Sequence, residues 1–321
     1  MDLRAPISRR SLFKATAATA AFGAAAALAP RALAQPTPLG TVVDYSAGVP
    51  SAQAVKAAGH LGAVRYVSRA RSSWMKGKPV SRAEAEDYAR NGLAIASVYQ
   101  YSNSDRPDWH EGAKGAEVHA PQAIALHLAA GGPAGRPIYM AIDANPTRTQ
   151  YENQIRPFLS GCRAALAVAG LKLGIYGNYH TIQWAIDDGL GEYFWMHNWG
   201  SNGKIHPRAN LHQFEIDKRW IARVGIDRNH VFTQDWGQWT PGSTIVAPTV
   251  PAQPGGKSQT HNTNSTPGDI NQQSELASLI GGSSDMVLPR LDTVTVHLPG
   301  GGTISGAQLK QIAEQAARLS S

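Results

Sequence analysis

Two rhythms of apolar and polar positions alternate along residues 40–240. Short apolar runs of strand length recur at Thr41–Val43, Ala63–Val67, Leu93–Tyr99, Ile138–Ile142, Leu171–Tyr176, Tyr193–His197, Leu211–Phe214 and Val224–Ile226. Helix-like stretches separate the earlier ones. Ser51–Ala58 is closed by Gly59, and Ser81-Arg82-Ala83-Glu84 is a capping box opening a helix that stops at Asn91-Gly92. Glu111–Ala130 ends at Gly131, Thr149–Ala169 ends at Gly170, and Tyr179–Asp187 is a shorter helix. This order of strand and helix predicts an α/β fold with a parallel sheet and helical crossovers. Eight such units over about 200 residues fit a (β/α)8 TIM-like barrel, with an open doubly wound sheet as the second arrangement.

The run Ile138–Ile142 has no polar face, so it reads as a strand buried on both sides, with Pro137 at its start. It ends abruptly in Asp143. A carboxylate there needs either a partner or a chemical use, and capping the following turn is the plainer reading. Other predicted strands also deliver polar or aromatic groups at their carboxyl ends: Asp44 on the first, Gln100 and Tyr101 after the third, Tyr176 on the fifth. Trp195, His197 and Trp199 alternate on the sixth and share a face. The seventh places Gln213 and Glu215 on one face, and Asp227 follows the eighth. In a barrel these groups converge on one mouth. Carboxylates flanked by tryptophan and tyrosine suit a carbohydrate, because acids protonate and counter an oxocarbenium-like centre while aromatic faces stack on sugar C–H surfaces. Taken one at a time, each acid reads as an ordinary ion pair or cap, and each tryptophan as core.

The ends of the chain differ from this body. In residues 1–34, Arg9-Arg10 precedes an alanine-rich apolar run and the small residues Ala32-Leu33-Ala34. Charge, apolar core and cleavage site stand in the order of a twin-arginine export signal, with the usual Phe-Leu order inverted to Leu12-Phe13. The apolar run is too short for a comfortable membrane span. The barrel is expected over 35–240. A linker rich in Pro, Gly, Ser and Thr is expected over 241–284, disordered by composition. A small strand–helix module follows at 285–321, too small for much of a core and open to docking on the barrel or on a protein partner.

Composition adds mainly exclusions. The formal charge is +7, but residues 1–34 carry +4 of it, and the remaining +3 makes no case for nucleic acid. It is compatible with a polyanionic cell wall. One cysteine, Cys162, excludes an internal disulfide, and its mid-helix position suits a packed thiol better than a nucleophile. His119 and His127 lie eight apart, and no histidine or cysteine pair has zinc-ligand spacing, so neither metal nor cofactor is expected. There is no Gly-x-Ser-x-Gly elbow, and Gly300-Gly301-Gly302 lacks the strand-to-helix setting of a nucleotide loop.

The motifs Asp44-Tyr45-Ser46, IYMAIDAN, LGIYGNY, FWMHNW and HQF followed by GIDRN occur in an order that resembles family 25 glycoside hydrolases, the barrel muramidases. The chain is more similar still to the exported glycoside-hydrolase-like domain of unknown function common among actinobacterial twin-arginine substrates. The resemblance covers roughly residues 40–237. It implies a secreted protein, extracellular, periplasmic or wall-associated, that acts on peptidoglycan. Asp44, Asp143 and Asp227 take the positions of the muramidase acids. The fourth-strand glutamate that protonates the leaving oxygen falls on Asn145, which cannot donate a catalytic proton. Three readings follow: a glycan hydrolase with a relocated acid, Asp143 or Glu215; a peptidoglycan-binding barrel that does not cut; or an envelope scaffold whose terminal module recruits a partner. The implied catalytic set is Asp44, Asp143, Glu215 and Asp227. The implied substrate-binding set is Tyr101, Asn145, Tyr176, Trp195, His197, Trp199 and Gln213.

Overall fold

The computed structural model describes residues 37–103, 106–242, 295–297, 303–305 and 307. The expected export signal at 1–34 lies outside the described residues, as do nearly all of the expected linker at 241–284 and most of the module at 285–321.

Eight strands close a barrel in sequence order. They are β1 (Gly40–Asp44), β2 (Gly62–Tyr66), β3 (Ala94–Tyr99), β4 (Pro137–Ala141), β5 (Lys172–Gly177), β6 (Tyr193–His197), β7 (Leu211–Ile221) and β8 (Val224–Val231). Helices α1 (Ala52–Ala57), α2 (Arg82–Arg90) and α3 (Ala113–Ala129) fill the first three crossovers. The fourth holds one continuous helical stretch: α4 (Arg148–Gln150), a π-helical turn (Tyr151–Ile155) and α5 (Arg156–Val168). The fifth holds α6 (Tyr179–Asp187). No helix separates β6, β7 and β8.

The expected barrel is present, with one departure from an all-parallel sheet. Strands β1 to β7 pair in parallel, whereas β8 runs antiparallel to both β7 and β1. The cause is local. Ile221 pairs with Val224, so only Ala222 and Arg223 connect the two strands, with φ of 48° and 68°. A two-residue connection with both φ positive makes a hairpin, and a parallel crossover needs a dozen residues or more. Asp227 therefore sits in the middle of β8, not after the end of a parallel strand.

Alternation along the strands builds two apolar layers. Ile138, Met140 and Ile142 of the β4 run face the helices, and Tyr139 and Ala141 face the barrel axis. Val42, Val64, Val98, Trp195, Leu211 and Val231 join the axial layer. Its floor is closed by the segment after β8. Trp236 is fully buried, its carbonyl accepts from the Tyr139 hydroxyl at 2.8 Å, and Trp239 bridges to Ile95.

The helix opened at Ser81 forms as expected, with the Ser81 hydroxyl accepting from the Glu84 backbone N–H at 3.1 Å. The reciprocal half of that capping box does not form. The Glu84 carboxylate turns into the barrel wall and holds the fully buried Arg65. A complete capping box stands instead at Thr147 and Gln150, at the head of α4.

The C-terminal strands Thr295–His297 and Thr303–Ser305, β9 and β10, pair as an antiparallel hairpin. Their backbones lie against α5 and α3 respectively, within the same unit as the barrel, Gln35–Ser321. Among the described residues, no helix is long and apolar enough to cross a membrane.

Candidate active site

Inward positions on the strands, or just beyond their ends for Gln100 and Asp143, form a polar ring at the barrel mouth: Asp44, Tyr66, Gln100, Asp143, Tyr176, His197, Gln213 and Asp227. It stands directly above the apolar axial layer, because most of these residues lie two positions from an inward apolar or aromatic residue, or beside one on the neighbouring strand, while Asp227 pairs with Asp44 of β1. A cavity of about 300 Å³ opens here, lined by Tyr66, Gln100, Asp143, Tyr176, Trp195, Trp199, Gln213 and Asp227 among others.

Gln213 organises the acids. Its Nε2 donates to Asp44 Oδ2 and to Asp227 Oδ2, at 3.1 Å each. One amide nitrogen thus holds two carboxyls within twice that distance of each other. The Tyr176 hydroxyl donates to Gln213 Oε1 at 2.7 Å, which fixes the amide with its nitrogen toward the acids. Asp44 is buried, and Asn229 Nδ2 donates to its Oδ2 at 2.8 Å. Burial pushes its carboxyl up to about 6, with the Asp143 charge adding to the rise against the pull of Asn229, Gln213 and Arg65. Asp227 is half-buried and accepts the Asp217 backbone N–H at 2.8 Å. Desolvation and the Asp44 charge raise its carboxyl to about 7. The two titrate as a pair that retains a proton near neutrality.

Asp143 faces them across the cavity in a different setting. It is half-buried, and its Oδ2 accepts from Gln100 Nε2 at 3.0 Å and Asn103 Nδ2 at 3.3 Å. The barrel mouth thus holds a proton-sharing pair opposite a carboxylate supplied with amide donors. The buried run Ile138–Ile142 leads directly into Asp143, yet Asp143 is not the most buried of the acids. The structure gives that place to Asp44, because β4 ends at Ala141 and Asp143 lies in the following loop.

The aromatic residues divide. Trp195 is buried beneath the cavity and donates from Nε1 to Asn229 Oδ1 at 2.7 Å. Tyr176 packs on it with ring centroids 4.4 Å apart. Trp199 is 39% exposed at the rim and stacks on His197 at 4.1 Å, with 16° between the rings. The His197 Nδ1 meets the Trp199 carbonyl at 3.0 Å, so that nitrogen carries the hydrogen. Burial lowers the ring's pKa to about 4, and it stays neutral. His197 therefore supports Trp199 from below. Replacing Trp199 by alanine is expected to weaken sugar binding at least tenfold with little change in unfolding temperature. Trp195→Ala is expected to destabilise the fold by about 3–5 kcal/mol. Titration calorimetry and thermal unfolding on the same two variants check the split.

Three of the expected site residues lie elsewhere. A bulge between Gln213 and Glu215 shifts the register so that Glu215 pairs with Arg228. Glu215 thereby leaves the Gln213 face and accepts from Arg228 Nε at 2.5 Å and Arg219 Nε at 3.2 Å. These hydrogen bonds lower its pKa and keep it ionised, which is the wrong state for a proton donor. Tyr101 sits in the loop after β3 with its ring 6.3 Å from His119, and it does not line the cavity. Asn145 is exposed, and its Oδ1 accepts from Asn178 Nδ2 at 2.7 Å. The loop carrying Gly200 packs on it so closely that a Cβ there would stand 2.8 Å from Oδ1. Asn145 is thus a loop brace between β4 and β5.

Sequence reading missed two mouth residues. Tyr66 was hidden because the second apolar run seemed to extend to Val67. Its phenol is held well above the ordinary value by burial and by all three aspartates. Lys78 Nζ lies 3.7 Å from its ring centroid and donates to the Gln100 carbonyl at 3.1 Å. Asn229 was hidden because β8 seemed to stop at Ile226. Among the described residues, no group of three His, Cys, Asp or Glu is placed to hold a metal ion.

A scan of known families matches residues 53–231 to the model described as Rv2525c-like, glycoside hydrolase-like domain. Rv2525c of Mycobacterium tuberculosis, which carries a provisional assignment as a peptidoglycan hydrolase, is 46% identical over 239 residues, covering 73% of this chain and 99% of its own. This chain belongs to the Rv2525c-like glycoside hydrolase-like family. The crystal structure of Tat-secreted Rv2525c with L-tartrate superposes at a TM-score of 0.60 with 49% identity, over 63% of this chain and 100% of that one. A family 25 glycosyl hydrolase from Bacillus anthracis shares 12% identity at a TM-score of 0.38, over 61% of this chain and 89% of that one, too slight a likeness to transfer residue roles. In this Rv2525c-like barrel the acids at the mouth are Asp44, Asp143 and Asp227.

Proposed function

We propose that this protein is an exported hydrolase of cell-wall glycan in which Asp227 is the proton donor and Asp143 the opposing carboxylate. The observation that carries the reading is the amide of Gln213 bridging Asp44 and Asp227 at 3.1 Å each, in a cavity whose other wall is Asp143. Of the bridged pair, only Asp227 lines the cavity. A carboxyl that keeps its proton near neutrality suits protonation of a glycosidic oxygen. As the C–O bond breaks, the proton passes to the leaving sugar and the remaining ring becomes cationic. Asp143, held by Gln100 and Asn103, counters that charge or orients the substrate's own N-acetyl oxygen to attack it. Water then completes the hydrolysis and returns the proton. Asp44 acts through Asp227: its negative charge holds the shared proton on Asp227.

Two lines support the wall as substrate and export as the route. Rv2525c is assigned provisionally to peptidoglycan hydrolysis and described as Tat-secreted. This chain carries Arg9-Arg10 ahead of its apolar run. Replacing both arginines by lysine should leave precursor in the cytoplasm.

The deciding experiment is release of new reducing ends from purified peptidoglycan between pH 4 and 8. Release is expected, with a rate that falls as pH rises through about 7, the value to which the Asp227 carboxyl is raised. The engagement of Asn145 with Asn178 favours a second reading, a barrel that binds wall glycan without cutting it. Wall binding with no reducing ends at any pH would establish that alternative and reject hydrolysis.

The pair also leaves a stability signature. Asp44 has a folded pKa raised to about 6 from the ordinary 3.8. The stability linked to its proton is complete below the unfolded value and is lost as pH climbs through about 6. Asp44→Asn is therefore expected to match the parent near pH 4 and to exceed it by roughly 2–3 kcal/mol at pH 8. Buried His127 and His212, lowered to about 4, act oppositely in both proteins and cancel in the difference. Urea unfolding of both proteins across this pH range checks it.

A further inference from the structure

A second cavity of about 320 Å³ adjoins the mouth, and Asp143 lines both. Its walls come from the loop after β3, with Asn103, Trp109 and His110, and from the helical stretch after β4, with Gln150 and Gln154. We infer that this second cavity is a subsite for the peptide stem carried by the glycan, so that Asp143 stands where sugar and peptide part. The inference rests on the glycan reading above and extends it to the substrate's other component.

The lining sets the ligand class. The mouth presents an open aromatic face at Trp199, as a sugar subsite requires. The second cavity does not: its tryptophan, Trp109, is 5% exposed and offers no platform. Its polar side chains are mainly amides, Asn103, Gln150 and Gln154, beside the His110 ring and the Asp143 carboxyl. Gln150 is held by the helix cap, with Oε1 accepting from the Thr147 backbone N–H at 2.9 Å and from the Thr147 hydroxyl at 3.2 Å. Its NH2 is thereby the end left to meet a ligand. Gln154 lies one turn on, within the π-helical turn Tyr151–Ile155. Single π turns interrupt a helix at a local cost and recur at functional sites. Primary amides both donate and accept, which matches the alternating N–H and C=O groups of a peptide. Among the described residues no lysine or arginine lines the cavity and one carboxyl does, so a free carboxylate or phosphate is a poor fit.

The test compares two ligands on the full-length mature protein by titration calorimetry: a chitooligosaccharide, which lacks a stem, and a disaccharide-pentapeptide muropeptide. Wild type should bind the muropeptide more tightly. Gln154→Leu should weaken the muropeptide about five- to tenfold, the loss of one or two hydrogen bonds, and leave the chitooligosaccharide within twofold. His110→Ala, on the opposite wall, should repeat the pattern should Gln154→Leu prove poorly folded. Equal losses for both ligands, or unchanged muropeptide affinity in both variants, would overturn the subsite. Because binding is read without cleavage, a wild type that binds both ligands but releases no sugar ends would reject hydrolysis and leave the subsite standing. Failure to bind either ligand would reject both.

Discussion

Glycan cleavage by Asp227→Asn is expected to fall by about a thousandfold, within the range of rate lost when a positioned general acid is removed. The substitution keeps an oxygen for the Asp217 backbone N–H but turns an NH2 toward Gln213 Nε2, so unfolding temperature measured on the same variant separates lost chemistry from a loosened site. Asp143→Asn should be comparably inactive, because the amide cannot counter a developing cation. Glu215→Gln should stay within about twofold of the parent, since that carboxylate is occupied by Arg228 and Arg219 on another face of the sheet. Rates of reducing-end release from one wall preparation give all three comparisons. Full activity in Asp227→Asn, or inactivity in Glu215→Gln alone, would move the acid to Glu215 and reject the assignment.

Glu84→Ala is expected to cost about 3–5 kcal/mol of folding stability, a larger loss than surface substitutions give. Arg65 is fully buried in the wall of the barrel. Its Nε donates to Glu84 Oε1 at 2.5 Å, and its two terminal nitrogens donate to the carbonyls of Tyr45 at 2.6 Å and Gly77 at 2.5 Å. The Tyr45 hydroxyl donates to the same Glu84 oxygen at 2.8 Å, and the guanidinium lies 3.9 Å from the Tyr45 ring centroid. Removing the carboxylate strands a charge that cannot reach water. Replacing both partners by apolar residues, Arg65→Met with Glu84→Leu, should recover much of the loss, since the ion pair itself brings little net stability. Urea unfolding of the single and double variants gives the coupling directly. Arg65 also ties the residue after Asp44 to the loop at Gly77, so the double variant should keep its fold and yet lose order at the mouth.

The first six strands and five helical crossovers were legible because apolar runs, caps and closing glycines all agreed. The last two strands were found as well, but not their extent or the reversed direction of β8. The turn at Ala222-Arg223 has the backbone of a hairpin without glycine or asparagine to announce it. Val224–Ile226 therefore looked like the end of a parallel strand, and Asn229 was passed over. The place of Asp44, Asp143, Tyr176 and Gln213 follows from period-two alternation alone. Glu215 fails that rule because a bulge adds a residue that no composition signal marks. Glu84 shows the other kind of error. A Ser-x-x-Glu pattern is a sound helix start, but a buried arginine one strand away competes for the carboxylate and wins.

The reversed last strand has a consequence for how this barrel can be held. Because β8 descends from the mouth, the chain enters and leaves at the same pole, where the Leu39 backbone N–H donates to the Val231 carbonyl at 2.7 Å. The acids sit at the other pole. A solid support coupled through a tag ahead of Leu39 or just behind Trp239 would grip the barrel by its sealed base, with the acid-lined mouth turned outward toward an insoluble polymer. Such beads should retain whatever wall-directed activity the free protein has, while coupling through Lys218 on the β7–β8 hairpin should obstruct it.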